Sequence, residues 1–402
     1  MKGIGFSKAG FRGCAVTCLF NLLAGGFCAA ASTDQQRLVH ANDTFAFNLL
    51  TQLAKDQPGS NIFVSPYGAS AALQMICTWA KGPTKTEMER VLGIAGLPPA
   101  ALNKANKALT ASLNTQTTNV TLTAANSIWY QKGITVNPGF IAANRQFFGA
   151  TVEALDFSGN QAVEAINGWA AAKTHGFISR ILQGPVDGNT KLFLANAVYF
   201  HGKWEMPFDV ASTTGRVFHR RDGRPSTLPM MQQHGDFAYH RGPGYQAVRL
   251  GYLDTHLCMY LLLPEAGSGP QKLLGNLNAD TWRAATEKGF AMAPGTLVLP
   301  RFKLEYGVEL TRPLKSLGLK GAFTEPDFSG ISDRSLSISA LRQQTYVEVD
   351  EEGTKSEAVT LLEIAEGIED HPFEMIVDRP FLFLIEDRQT GTILFLGMVF
   401  EP

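Results

Sequence analysis

Tyr346-Val347-Glu348-Val349-Asp350-Glu351-Glu352-Gly353-Thr354-Lys355-Ser356-Glu357-Ala358-Val359-Thr360-Leu361-Leu362-Glu363-Ile364 is the stretch on which the reading of the fold turns. Its first four residues alternate like a strand with one buried face. An acidic triplet and Gly353 follow. Beyond the glycine, Thr354, Ser356, Ala358, Thr360, Leu362 and Ile364 occupy alternate positions and are all uncharged, small at first and apolar at the end. Lys355, Glu357 and Glu363 put charge between them, with Val359 and Leu361 as exceptions. This is a strand written with two faces. Yet 27 residues separate Gly353 from the next clear strand at Phe381, among them Gly367, Glu369-Asp370 and His371-Pro372. Connections of that length are usually functional or disordered. Two readings stay open: an edge strand with a loose connection after it, or a segment that is loop in one state and strand in another. Small inward side chains would let such a segment enter an existing sheet without overpacking it.

Working outward, strands are expected at Val120–Trp129, Lys191–Phe200, Ala247–Tyr252, Cys258–Leu263, Leu297–Leu304, Thr345–Val349, Phe381–Glu386 and Ile393–Phe400. Pro or Gly punctuation follows several of them. Phe45, Phe47, Leu49, Leu50 and Leu53 mark a first helix. A second starts at Ser65-Pro66, where serine suits the N-cap and proline the first helical position. Ala69 to Trp79 is apolar almost all round, which predicts a buried helix. Further helices are expected near 86–93, 99–113, 138–148 and 161–174. Strands in several sheets with helices clustered around them, and no regular βαβ alternation, give one large α+β domain.

Composition agrees. The 402 residues are 45% hydrophobic and 18% charged, with a net charge of −1. Such a chain buries a large core and advertises neither nucleic acid nor an anionic membrane. Arg220-Arg221 with Arg224 is too small a basic cluster for a nucleic-acid surface and reads as a solvated turn. At the N-terminus, Lys2, Lys8 and Arg12 precede an apolar run from about Cys14 to Phe27, then Ala29-Ala30-Ala31. A positive start, a short apolar stretch and an A-x-A site predict a secretory signal over 1–31, leaving 32–402 as the exported domain. Cys14, Cys18 and Cys28 leave with it. Cys77 and Cys258, one on a helical and one on a strand-like stretch, are expected as separate buried thiols.

No enzyme is legible. The chain has no G-x-S-x-G elbow and no H-E-x-x-H pair. Gly82-Pro83-Thr84-Lys85-Thr86 lacks the first glycine of a phosphate loop. His201, His234, His240 and His256 have neither the spacing nor the cysteine partners of a zinc site. Asp350-Glu351-Glu352 reads as a solvated turn sooner than as catalytic carboxylates. No catalytic residue, metal or cofactor is expected.

Several runs in order resemble the serpin family over roughly 40–402. Val349-Asp350-Glu351-Glu352-Gly353-Thr354 is similar to the hinge before the serpin reactive-centre loop. Asn61-Ile62-Phe63-Val64-Ser65-Pro66 resembles the entry to a buried second helix. Leu194 to Phe200, Gly202-Lys203-Trp204 and Pro207-Phe208 resemble the strand and turn beneath the insertion gap. Asn126-Ser127-Ile128-Trp129, Ile166-Asn167-Gly168-Trp169, Asp327-Phe328-Ser329-Gly330 and Arg379-Pro380-Phe381-Leu382-Phe383 fall in the family's order, and Gly397 and Pro402 close the chain.

The resemblance implies three β-sheets, about eight or nine helices and an exposed reactive-centre loop at about 353–372. It implies a secreted, monomeric inhibitor that is no enzyme. A serine protease, possibly a cysteine protease, would cut the loop, which then inserts into the central sheet and traps it. The alternative is a serpin-fold carrier that inhibits nothing. Glu351, Gly353, Thr354, Ser356 and Ala358 would form the hinge. Arg301 would pair with Glu351 at the top of the sheet, and Ser65, Asn196 and Gln343 would lie where strands must part. Gln343 replaces the histidine the family often carries there. Counting fourteen residues from Gly353 puts the cut at Gly367-Ile368, with Ala365 and Ile364 as competitors. No Arg or Lys lies between Thr360 and His371, which points to an elastase- or subtilisin-like protease. Lys104 and Lys107 are the only basic residues of the 99–113 helix, so no heparin-type site is expected.

Overall fold

The computed structural model describes residues 32–113, 117–353 and 372–402. Among them nine α-helices occur: α1 (Thr33–Asp56), α2 (Pro66–Cys77), α3 (Gly82–Leu92), α4 (Pro99–Leu113), α5 (Pro138–Phe148), α6 (Asn160–Lys173), α7 (Pro270–Leu274), α8 (Ala279–Lys288) and α9 (Thr311–Ser316). The strands, in chain order, begin with β1 (Ile62–Val64), β2 (Val120–Gln131), β3 (Thr151–Leu155), β4 (Leu192–Gly202), β5 (Thr214–His219), β6 (Pro225–Gly242) and β7 (Tyr245–Gly251). They continue with β8 (Leu257–Pro264), β9 (Ala291–Pro300), β10 (Phe302–Glu309), β11 (Ile338–Val349), β12 (Phe373–Ile376), β13 (Phe381–Asp387) and β14 (Thr392–Val399).

Local chemistry accounts for the helix that matters most here. Ser65 caps α2, its hydroxyl accepting from Gly68 N at 3.2 Å, and Pro66 takes the first turn, where its missing N–H is no loss. All twelve residues of α2 are buried, as an apolar helix must be.

The five-stranded sheet runs β10-β11-β4-β2-β3, and the nine-stranded one β1-β14-β13-β8-β7-β6-β9-β12 with β5 on β6. The three sheets of the sequence reading are thus joined as two hydrogen-bonded networks. β6 pairs with β5 near its start, with β9 along its middle and with β7 at its end, so it joins three strands of one network.

Three strand readings are corrected. Leu297–Leu304 is not one strand: β9 ends at Pro300, β10 starts at Phe302, and the two belong to different sheets. Pro300 and Arg301 make the corner, and Arg301 N bonds Pro229 O at 3.1 Å. β6 was hidden by Pro225, Pro229 and Gly235, which read as breaks in a central strand, and its partner β5 was missed with it. The stretch before Phe381 also holds β12, four residues that pair in parallel with β9.

The five-stranded sheet is covered on both faces. On β4, Leu192, Leu194, Val198 and Phe200 face the main core. Phe193, Ala195, Ala197 and Tyr199 face a second cluster under α6, with Trp129, Ile166 and Trp169. Period-two alternation therefore sends one strand into two cores. Cys77 and Cys258 are free and buried. Burial pushes the Cys77 thiol up to about 12 and Cys258 higher still, so both stay protonated.

Candidate functional site

β4 and β11 form a parallel pair in the middle of the five-stranded sheet. Their register runs from Ile338↔Leu192 to Tyr346↔Tyr199 and stops. On its other side β11 stays paired with β10 as far as Val349, and β4 stays paired with β2 as far as Gly202. The seam between β4 and β11 therefore ends before either strand does. This end is where the acidic turn sits.

The turn docks by its backbone. Trp204 N donates to Glu352 O at 3.2 Å, Phe208 N to Glu351 O at 2.8 Å, and the Trp204 indole to Asp350 O at 2.9 Å. Gly353 closes it at φ 63°, a left-handed conformation that suits glycine. A Cβ there would lie 2.4 Å from both Gly202 O and Trp204 N, so the position excludes a side chain for steric as well as torsional reasons.

Glu351 is the anchor. Its side chain is 4% exposed, and one carboxylate oxygen accepts from Arg301 Nε at 2.8 Å and Nη2 at 2.5 Å, and from the Thr213 hydroxyl. Burial alone would raise its pKa. The bonds from Arg301 and Thr213, with the guanidinium charge, outweigh that and hold the carboxyl below the ordinary value. Asp350 goes the other way, raised by burial and by Glu348 and Glu351 beside it. Arg301 reaches Glu351 because it stands at the corner between β9 and β10, the break that the sequence reading ran through.

A second constellation lies on the main-core face of the same seam. Gln343 on β11 accepts from Ser65 N at 2.9 Å and donates to Ser65 O at 2.8 Å and to Asn196 Oδ1 at 2.7 Å. Asn196 on β4 donates onward to Ala125 O at 3.1 Å and Asn126 Oδ1 at 2.9 Å. Ser65 Oγ donates to Leu394 O at 2.8 Å. One buried network thus ties β11, β4, β2, the start of α2 and β14, and every bond replaces one to water. Close approach is built in: a Cβ at Gly68 would lie 2.5 Å from Asn196 Oδ1.

Ser65, Asn196 and Gln343 are therefore brought together, as are Arg301, Glu351 and Gly353. Thr354, Ser356, Ala358, Ile364, Ala365, Gly367 and Ile368 lie outside the described residues, as does 1–31. Two residues were missed by sequence reasoning. Thr213 gave no signal, being one of two threonines in a polar stretch. Trp204 was quoted only within a motif, although its side chain and backbone both hold the turn. Among the described residues no group of three His, Cys, Asp or Glu side chains is placed to hold a metal ion. The arrangement offers no nucleophile–base pair; what it offers is a strand pair with one open end and a docked turn beside it.

An α+β domain with a parallel central seam and a docked acidic turn at its open end defines the class. The chain belongs to the serpin family: the family model described as serpin (serine protease inhibitor) matches residues 40–402. Plasminogen activator inhibitor 1 of Sus scrofa is 33% identical over 389 residues, covering 93% of this chain and 95% of that protein. The native-state crystal structure of tengpin, a thermophilic serpin, is 28% identical with a TM-score of 0.83, covering 90% of this chain and 94% of that one. Human thyroxine-binding globulin is 26% identical, also with a TM-score of 0.83, over 92% of this chain and 99% of that one.

Proposed function

We propose that this serpin is an exported inhibitor that traps an elastase- or subtilisin-like protease through cleavage in 354–371. The observation that carries this reading is the uninserted seam. β4 and β11 run parallel and adjacent, and the chain leaves β11 at the end where they part. A segment folding back from Gly353 between them would lie antiparallel to both. One parallel interface would be replaced by two antiparallel ones, each slightly more stable per residue. A dozen inserted residues at about 3.3 Å each would carry an attached protease some 40 Å.

The chemistry of 354–371 supports the choice of target. Alternate hinge positions are small and uncharged, as entry into a closed sheet requires. The stretch from Leu361 to Asp370 has no basic residue to fill a trypsin-like pocket. The signal-like residues 1–31 support export.

Incubation with elastase and subtilisin, followed by denaturing electrophoresis, tests this. A covalent complex that survives SDS is expected, with the cut at Gly367-Ile368 or at Ile364 or Ala365. Clean cleavage in that region with no complex would sink the proposal. As a second arm, Thr354→Arg places a charge on the inserting face, and trapping should fall while cleavage persists. The likeness to thyroxine-binding globulin favours a second reading, a carrier with this fold. The same gel decides between them, since a carrier forms no complex.

A further inference from the structure

The face of the five-stranded sheet opposite Gln343 carries an aromatic arrangement of Phe177, Tyr199 and Tyr346. α6 ends at Lys173, and the chain turns back through His175 and Gly176, both left-handed, at φ 52° and 87°. Thr174 fixes this turn. Its hydroxyl donates to Ala170 O at 2.8 Å and accepts from Ile178 N at 2.9 Å, while Phe177 N reaches Thr174 O at 3.0 Å. A left-handed histidine is uncommon, and here the turn delivers Phe177 onto the sheet.

The Phe177 ring stacks on Tyr199 with centroids 4.2 Å apart and planes at 14°. It also leans on Tyr346 at 5.8 Å and 49°, and the two tyrosines lie 5.7 Å apart. Tyr199 of β4 and Tyr346 of β11 are the last registered pair before the strands part. Phe177 therefore spans the seam at its open end. It is 47% exposed, so burial is a poor reason for a phenylalanine there, whereas contact with both strands is a good one.

We propose that Phe177 is a latch on the seam, setting how fast the sheet opens and so how an attacking protease is partitioned between capture and release. The proposal rests on the inhibitory reading above. Neighbouring strands lie about 4.8 Å apart, and admitting one more doubles the separation to about 10 Å, beyond what one ring can bridge. The paired contact thus exists in the closed sheet and is lost on insertion. A contact present only before opening raises the barrier to opening. Slow insertion gives the protease time to finish hydrolysis and leave; removing the latch shifts the balance toward capture.

Wild type, Phe177→Ala and Phe177→Trp would be compared in two assays. One follows uptake of a synthetic peptide of residues 354–365, read as the growth of a more heat-stable form with time. The other titrates subtilisin and counts inhibitor molecules consumed per protease captured. Phe177→Ala is expected to take up peptide about three- to tenfold faster and to be consumed more sparingly, with Phe177→Trp returning both toward wild type. Equal uptake and consumption in all three, even with a lower melting temperature for Phe177→Ala, overturns the latch and leaves Phe177 as packing. Wild type that neither takes up peptide nor captures protease removes the inhibitory reading and the latch with it. Wild type that does both, matched by Phe177→Ala, removes the latch alone.

Discussion

Gln343 and Asn196 are register partners on adjacent parallel strands, and their side chains are joined by a 2.7 Å hydrogen bond from Gln343 Nε2 to Asn196 Oδ1. Because Gln343 also bonds both the N–H and the carbonyl of Ser65, it completes a closed set of buried donors and acceptors. Gln343→Leu would leave Ser65 N and Asn196 Oδ1 each without a partner, while Ser65 O keeps only its bond from Ala69 N at 3.0 Å. Each buried group left unsatisfied costs about 1–3 kcal/mol, partly recovered by relaxation. A loss of roughly 2–4 kcal/mol in urea unfolding is expected. A loss under about 0.5 kcal/mol would show that the network is not what holds the seam.

Arg301 and Glu351 make a different kind of tie, one that titrates. Glu351 has its folded pKa held below the ordinary 4.5, so the bond contributes fully above that value and fades as pH falls through the lower folded one. Arg301→Ala should cost about 1–2 kcal/mol at pH 7, discounted because the arginine is 42% exposed. At pH 3 the gap between wild type and variant should shrink. A gap that stays constant from pH 7 to pH 3 would mean that Arg301 acts by packing and not by charge.

Much of this site is legible in the residues, and the reason is local. Ser65-Pro66 carries its own cap chemistry, and Tyr346 to Val349 shows its two faces directly. Pairing between distant strands is less accessible. Leu297 to Leu304 is one apolar run by composition, and only the corner at Arg301 divides it between two sheets. β6 is eighteen residues long, yet Pro225, Pro229 and Gly235 give it the look of a loop, because its partners change from β5 through β9 to β7 along its length. Phe177 has no sequence signal at all. Its place depends on a turn that Thr174 builds and on two tyrosines brought into register from 147 residues apart.

Gly353 gives a steric prediction. Gly353→Ala puts a methyl group 2.4 Å from Gly202 O and Trp204 N, at a φ that alanine adopts poorly. The turn must shift, and the backbone bonds from Trp204 and Phe208 go with it. A destabilisation of about 1–3 kcal/mol is expected, with faster amide exchange at Trp204 and Phe208. Unchanged exchange at both amides would mean that the turn tolerates a side chain there and that its docking does not depend on glycine.

Away from the seam, Glu386 and Asp43 give a pH-dependent contribution to stability of their own. Burial, with Asp43 and Asp387 nearby, pushes Glu386 up to about 8 against the pull of its bond from the Trp282 indole, 2.8 Å away. Asp43, raised by burial to about 7, accepts from Ile393 N at 3.1 Å. Both acids therefore keep a proton in the folded protein at pH values where the unfolded chain has lost it. Their contribution to stability falls as pH rises from about 4.5 to about 8, because these two carboxyls bind fewer protons in the unfolded chain than in the folded protein across that window. Glu386→Gln keeps an oxygen to accept from Trp282 and has no proton to lose. It should match wild type near pH 4.5 and exceed it by on the order of 1–3 kcal/mol at pH 8, the lead growing steadily between. Urea midpoints at four or five pH values would check this. A lead that is the same at every pH would assign the gain to packing, and no lead at pH 8 would show that Glu386 ionises in place without cost.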